Sequence, residues 1–275
     1  MIRSSVTISL VPSLWGGPWI YWDDLEISLA KAKAAGFDAV ELFTASADAV
    51  NPDTLSRLLA DQGLELAAVG TGAGRVLHGL HLTSPDSRIR RGARDFISAM
   101  IDFGGRLGAP AIIGSMQGRL ERGAERAQAL EWLAESLAVL EQEAAAHGVK
   151  LIYEPLNRYE TDLTNRLDDG VALIESLGRG NVCLLADLFH MNIEEESVAG
   201  AIRAAGEHIG YVHFVDSNRR PAGLGHLDLG EVGRALREVG FQGYASAEAL
   251  PYPDPDAAAA QTMAAFKEFL CPSLD

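Results

Sequence analysis

Cysteine is almost missing from this chain: 275 residues hold two, Cys183 and Cys271. They form no CxxC pair, which excludes a disulfide framework and a thiolate metal cluster and makes a reducing cytoplasm the simplest compartment. Long apolar runs are missing too. No stretch approaches the roughly 18 uninterrupted apolar residues of a membrane span. The opening MIRSSVTISLVPSLWGG reads as a first strand rather than a secretory leader. Positive charge is scarce: 23 Lys and Arg stand against 38 Asp and Glu, a formal charge of −15. Nucleic-acid and anionic-membrane partners need a basic surface and are excluded on that ground. A dinucleotide fingerprint is also absent, because GTGAG (70–74) is followed by Arg75 where a third glycine would be required. The segment after the last predicted strand, ALPYPDPD, has no glycine and is acidic, which disfavours a phosphorylated substrate.

What the chain has is alternation. Its length suits one (β/α)8 barrel, and 48% apolar residues is ordinary for a globular protein with a large core. Strand-like runs fall at VTISLV (6–11), AVELF (39–43), LELAAVG (64–70), PAIIGS (110–115), VKLIYE (149–154), VCLLAD (182–187), IGYVHFV (209–215) and YASAEA (244–249). Short apolar runs of this kind suit strands buried on both faces of a parallel sheet. Helical patterns lie between them. In one, over 125–147, Leu130, Leu133, Leu137 and Leu140 share a face at three- and four-residue steps. Asn51-Pro52, Ser84-Pro85 and Asp254-Pro255 each put a capping side chain before a proline suited to a first helical position. Asn192 with Glu195 and Asp228 with Glu231 resemble capping boxes, and Gly36, Gly63, Gly108, Gly148 and Gly240 close helices. Eight strands alternating with eight helices predict an α/β fold, a single (β/α)8 barrel domain over 1–275, with an open doubly wound sheet as the alternative.

In such barrels, active sites lie at the C-terminal ends of the strands. Predicted strands five to eight end on Glu154 (LIYEP), Asp187 (CLLAD), His213 (YVHFVD) and Glu248 (ASAEAL). One lone acid there would more often cap a helix or pair with an arginine. Four at equivalent positions in consecutive units point to a shared purpose, since acids are seldom buried unless paired or on a metal. Three carboxylates and an imidazole suit a hard or borderline divalent ion such as Mn2+, Mg2+ or Co2+, with zinc less suited. Such an ion, holding a carbonyl oxygen and the neighbouring hydroxyl, acidifies the carbon between them because it stabilises the enediolate that forms. His190 lies in the loop after strand six, where it could position a substrate hydroxyl. Arg219 lies in the loop after strand seven, where it could neutralise an enediolate or grip a carboxylate.

Weaker signals surround this set. Trp15 or Trp19 could wall the pocket, and Arg75 and Arg119 could face an anionic group. His78 and His81 read as loop residues, His147 and His208 as helix-end residues, and Glu194–Glu196 as a dipole complement in a first helical turn.

The segments YEPLNRYET (153–161), ADLFHMNIEE (186–195), VHFVDSNRRPAGLGH (212–226) and SAEAL (246–250) resemble the xylose-isomerase-like barrel superfamily. Within it the chain is similar to ketose 3-epimerases of the D-tagatose 3-epimerase kind and to epimerases of keto sugar acids of the 5-keto-gluconate type. GTGAG (70–74), HLTSPD (81–86) and IIGSMQGR (112–119) also look like the latter. The resemblance implies a metal-dependent isomerase that interconverts C3 epimers of a free ketose or keto sugar acid. It implies that Glu154, Asp187, His213 and Glu248 hold the metal, and that Glu154 and Glu248 also act as the acid/base pair on opposite faces of the substrate. Glu160, His190 and Arg219 would hold substrate oxygens. It further implies a homo-oligomer, dimer or tetramer. Rival readings are an aldose–ketose or hydroxypyruvate-type isomerase on the same site, an endonuclease IV-like metal-dependent nuclease, and a non-catalytic barrel. The charge disfavours the nuclease, and retention of both glutamates counts against the non-catalytic barrel.

Overall fold

A computed structural model describes residues 1–178 and 180–271. Eight strands, β1 (Arg3–Ser9), β2 (Ala39–Phe43), β3 (Glu65–Gly70), β4 (Ala111–Ile113), β5 (Leu151–Tyr153), β6 (Val182–Asp187), β7 (Ile209–His213) and β8 (Tyr244–Ala247), pair in sequence order and close β8 onto β1. Every pairing is parallel. Eight helices return the chain along the outside: α1 (Leu25–Ala35), α2 (Pro52–Gln62), α4 (Ser87–Gly105), α5 (Arg126–Ala146), α6 (Leu167–Leu177), α8 (Val198–Ala205), α9 (Leu229–Glu238) and α10 (Pro255–Ala265). Two short helices, α3 (Ala73–His78) and α7 (Leu188–Glu194), are added in the loops after β3 and β6. The fold is a (β/α)8 TIM barrel, as the alternation predicts.

Capping explains most helix starts. Asn51, Asp228 and Asp254 accept hydrogen bonds from the amides three residues on, of Thr54, Glu231 and Ala257. Two expected starts are corrected. Asp86, not Ser84, caps α4, because its carboxylate takes the Arg88 amide. Asn192 caps nothing, since it lies inside α7; the next helix starts on Ser197, which accepts from Gly200 N. The first strand runs from Arg3, three residues earlier than expected. Its Ser4, Ser5 and Thr7 are buried, so polar side chains disguise the strand in the sequence.

The main core lies between barrel and helices, with Leu133, Leu137 and Leu140 of α5 contributing as expected. A second cluster, including Ala39, Ile112, Ile152, Cys183, Leu185 and Tyr211, packs within the barrel. Asp187 and His213 end their strands as register partners. Glu154 and Glu248 come one residue past theirs. The barrel therefore delivers all four side chains to one rim.

Candidate functional site

The imidazole of His213 is the hub of that rim. Its Nδ1 lies 3.0 Å from Asp187 Oδ2, 3.4 Å from Glu154 Oε1 and 3.6 Å from Glu248 Oε2. The structure thus brings one carboxylate oxygen each of Glu154, Asp187 and Glu248 within 3.6 Å of a single imidazole nitrogen. Each is placed by a local device. Asp187 caps α7 with one oxygen, accepting from Phe189 N (2.7 Å) and His190 N (3.0 Å), and turns the other to His213. Glu154 lies against Gly114 at the end of β4, where an added Cβ would come within 2.2 Å of Glu154 Oε2. A side chain at that position would displace the carboxylate from where it stands.

A second ring of polar groups surrounds the hub. His190 Nε2 lies 3.9 Å from both Glu154 Oε1 and Asp187 Oδ2. Its Nδ1 receives Asn157 Nδ2 at 2.6 Å and the Asn157 amide at 3.3 Å. Both are donors, so Nδ1 accepts and Nε2 carries the proton of the neutral ring, facing the carboxylates. Arg219 donates to Glu248 Oε2 (2.8 Å) and Glu160 Oε1 (3.3 Å), and its guanidinium stacks 4.8 Å from the Phe189 ring centre. Arg219 alone among the described non-glycine residues has a positive φ, +58°. That conformation is one that side chains with a Cβ adopt at a penalty of roughly 1–2 kcal/mol, and here it turns the side chain back over the rim. Glu154, Glu160, His190, His213, Arg219 and Glu248 line a pocket of about 210 Å³, walled on its apolar side by Trp19, Phe43, Val76 and Leu156.

The donors fit a divalent cation. Glu154 Oε1 is buried and makes no hydrogen bond within the described residues. A buried carboxylate oxygen without a donor is disfavoured unless a cation faces it. The charges agree. Burial alone would disfavour a charged His213, yet Glu248, Glu41, Asp187 and Glu154 hold its pKa well above the ordinary histidine value. Burial likewise opposes ionisation of Asp187, but the positive charge around it and its hydrogen bond with His213 outweigh that and hold the carboxyl well below the usual range. Burial wins at Glu248, which is pushed up to about 7 against His213 and Arg219, with Glu154 and Asp187 adding to the rise. Carboxylates that must keep a proton on the imidazole among them form a site that a dication can neutralise.

The sequence pattern of the xylose isomerase-like TIM barrel family matches residues 29–269. The chain belongs to that family. A D-psicose 3-epimerase of Ruminiclostridium cellulolyticum is 30% identical over 239 residues, 82% of this chain and 80% of the relative. An L-ribulose 3-epimerase of Mesorhizobium japonicum is 33% identical over 222 residues, 79% and 73% of the two chains. A solved L-ribulose 3-epimerase structure superposes with a TM-score of 0.83 at 28% identity, covering 98% of this chain and 95% of the other. This member of the xylose isomerase-like family is therefore a relative of carbohydrate 3-epimerases, enzymes of the isomerase class.

Other residues fall where the sequence does not lead. Trp19 lines the pocket and packs on Phe43 at 4.3 Å, whereas Trp15 is 73% exposed. Arg75 and Arg119 line no part of the pocket. His78 is exposed, and His81 is buried with Nε2 2.8 Å from Glu121, joining the loops after β3 and β4. Glu194 and Glu195 do not start a helix. Glu194 pairs with Arg158, and Glu195 accepts from Leu167 N at the start of α6, so it complements a different helix. His147 ends α5 and His208 precedes β7, as expected for helix-end residues.

Three supporting residues escape sequence reading. Asn157 orients His190. Gln117 donates to the carbonyls of Gly114 (3.2 Å) and Glu154 (2.9 Å), tying the two strand ends together. Buried Asp216 accepts from the amides of Ser217, Gly223 and Leu227 and so folds the loop that carries Arg219. No helix among the described residues is long and apolar enough to cross a membrane.

Proposed function

We propose that the chain is a metal-dependent carbohydrate 3-epimerase acting on a free ketose. The observation that carries the proposal is the convergence of Glu154, Asp187 and Glu248 within 3.6 Å of His213 Nδ1, beside a small pocket that Glu154, His213 and Glu248 line. Glu154, Asp187, His213 and Glu248 would hold the ion, which we take to be Mn2+, with Mg2+ and Co2+ as alternatives that the same donors suit. When bound, the ion supplies a positive charge that stabilises negative charge developing on the substrate's oxygens.

The protein's own groups then move the proton. One glutamate takes the hydrogen from C3 as a proton, and the C–H electron pair passes into the C2–C3 enediolate. The other glutamate, protonated, delivers its proton to the opposite face of C3. Two bases are needed because a single one would return the proton to the face it came from. In the reverse direction the roles exchange, so neither glutamate is permanently acid or base. His190 presents Nε2–H, and Arg219 and Glu160 close the rim, as groups for the substrate's carbonyl and hydroxyl oxygens. Trp19, Phe43 and Val76 offer an apolar wall to the sugar's carbon edge.

The pocket also favours a neutral ketose over a keto sugar acid. Arg219 is the one Lys or Arg among its described lining residues, and it is already engaged by Glu248 and Glu160. A substrate carboxylate would meet a rim of carboxylates with no free cation among the described side chains.

Incubation of metal-loaded protein with a panel of ketoses in D2O, followed by NMR, tests the reading. The expected result is deuterium at C3 together with the C3 epimer. Exchange at C1 would make the protein an aldose–ketose isomerase, and no exchange with any sugar would overturn the assignment.

A further inference from the structure

One buried carboxylate takes no part in that scheme. Glu41, the third residue of β2, is 4% exposed. Its Oε2 accepts a hydrogen bond from the Tyr211 hydroxyl at 2.9 Å and lies 3.3 Å from His213 Nε2. Tyr211 and His213 are two residues apart on β7, so both project to the same side of the strand. The carboxylate therefore sits beneath the imidazole, held from below by a phenol.

The imidazole itself poses the question that Glu41 answers. Its Nδ1 faces three carboxylates. For Nδ1 to offer a lone pair to a cation, the ring proton must reside on Nε2, and a buried N–H needs an acceptor. His213 Nε2 is buried and makes no aligned hydrogen bond among the described residues. Glu41 Oε2, at 3.3 Å, is the carboxylate oxygen beside it. A glutamate inside a barrel is otherwise unfavourable, because burying an unpaired carboxylate is heavily disfavoured. Here it has two donors in reach.

We infer that Glu41 is a positioning residue for the metal centre: it accepts the His213 Nε2–H, fixes the tautomer that leaves Nδ1 free for the ion, and is itself fixed by Tyr211. The inference rests on the reading that Glu154, Asp187, His213 and Glu248 hold a divalent cation. Glu41, His213 and Glu248 also offer ligand atoms within 4.8 Å of one another, so direct ligation by Glu41 is the competing arrangement. It requires the ion at Nε2, on the side of the ring away from Asp187 and Glu154. The two arrangements differ in which ring nitrogen is protonated.

The test uses the whole protein, stripped of metal and then titrated with Co2+ by calorimetry, alongside Glu41→Gln, Glu41→Ala and Tyr211→Phe. Removal of an acceptor behind a metal-bound histidine weakens metal binding by about 10- to 100-fold, and that is the loss expected for Glu41→Ala. Glu41→Gln, whose amide oxygen still accepts, should lose less, and Tyr211→Phe less again. In histidine-labelled wild type loaded with diamagnetic Mg2+, nitrogen NMR should show His213 protonated at Nε2 and bare at Nδ1. The Nε2 proton should move upfield or broaden in Glu41→Ala. Wild-type Co2+ affinity in both Glu41 variants would overturn the inference, and so would a His213 bare at Nε2 in the loaded protein. A wild type that binds no divalent ion would instead overturn the metal-site reading on which it rests. Glu41→Gln, nearly isosteric, keeps the test decisive if Glu41→Ala fails to fold.

Discussion

The barrel has two mouths, and the larger is the emptier of chemistry. At the N-terminal ends of the strands lies a cavity of about 840 Å³, lined among others by Arg3, Glu65, Lys150, Cys183, Tyr211 and Tyr244. At the C-terminal ends the pocket is only about 210 Å³. Below, the charged groups pair outward: Arg3 salt-bridges Glu65 at the surface and stacks on Tyr244. Above, charged groups converge inward on one imidazole and stay buried. The partition between the two is a single layer, in which Tyr211 lines the lower cavity and Glu41 the upper pocket, joined by their hydrogen bond. Volume measures where side chains stop. Function is marked by buried groups of opposing charge that the fold holds together against desolvation.

The largest effect that would sharpen this contrast comes from the two glutamates. Glu154→Gln and Glu248→Gln should each lower the rate of C3 exchange by about 10³-fold or more, since general acid–base groups contribute ~10²–10⁴ and each residue is also a candidate ligand. The check is deuterium wash-in measured under saturating metal. Full activity in Glu248→Gln would break the two-base assignment.

Metal removal comes next. Chelation should abolish exchange, and readdition of Mn2+ should restore it. An ion present at 100 times its dissociation constant stabilises the native state by about 2.7 kcal/mol, so calorimetry should show the melting temperature rising by about 5 °C or more on loading. The same ion should not alter a variant at the lower mouth, such as Lys150→Ala, differently from wild type.

Arg219 should follow. Arg219→Ala removes the guanidinium that spans Glu248 and Glu160, and kcat/KM should fall about 10²-fold, the scale of one lost charge-stabilising donor. Metal affinity, measured separately, should change much less. A comparable loss in metal binding would mean that Arg219 acts by holding Glu248 rather than substrate.

The two mouths also differ in how far the sequence discloses them. Strand ends are visible because a (β/α)8 barrel forces every strand's last residue to one rim, so Glu154, Asp187, His213 and Glu248 could be gathered without coordinates. Glu41 could not. It interrupts the apolar run AVELF at mid-strand, and nothing local distinguishes an inward carboxylate from an edge one until the barrel closes and sets it against β7. Asn157 and Asp216 sit in polar loops where their composition is unremarkable, and their roles come from the amides and ring that the folded loops bring to them. Arg75 and Arg119 fail in the opposite way. They follow the right strands, but the helix after β3 and the turn after β4 carry them off the pocket, since a loop's own path decides where its side chains end.

The smallest effect is expected at the lower mouth, where Cys183 is the one thiol among the described lining residues. Burial raises its pKa to about 11, against the opposing charge of Lys150. At pH 8 about one molecule in 10³ would hold the reactive thiolate, and an apolar thiol of this kind is inert. The contrast with Glu248 lies in the groups themselves: burial raises both, but a carboxyl lifted from its ordinary value reaches about 7, whereas a thiol lifted from its own reaches about 11. A thiol reagent should therefore titrate one cysteine in the native protein, the exposed Cys271, and two after denaturation. Cys183→Ala should change kcat by less than about twofold, with only a small loss of stability for so small a change in buried volume. Rapid native labelling of Cys183, or loss of epimerisation when it is blocked, would show that the lower cavity communicates with the chemistry above and would erase the distinction between the two ends of the barrel.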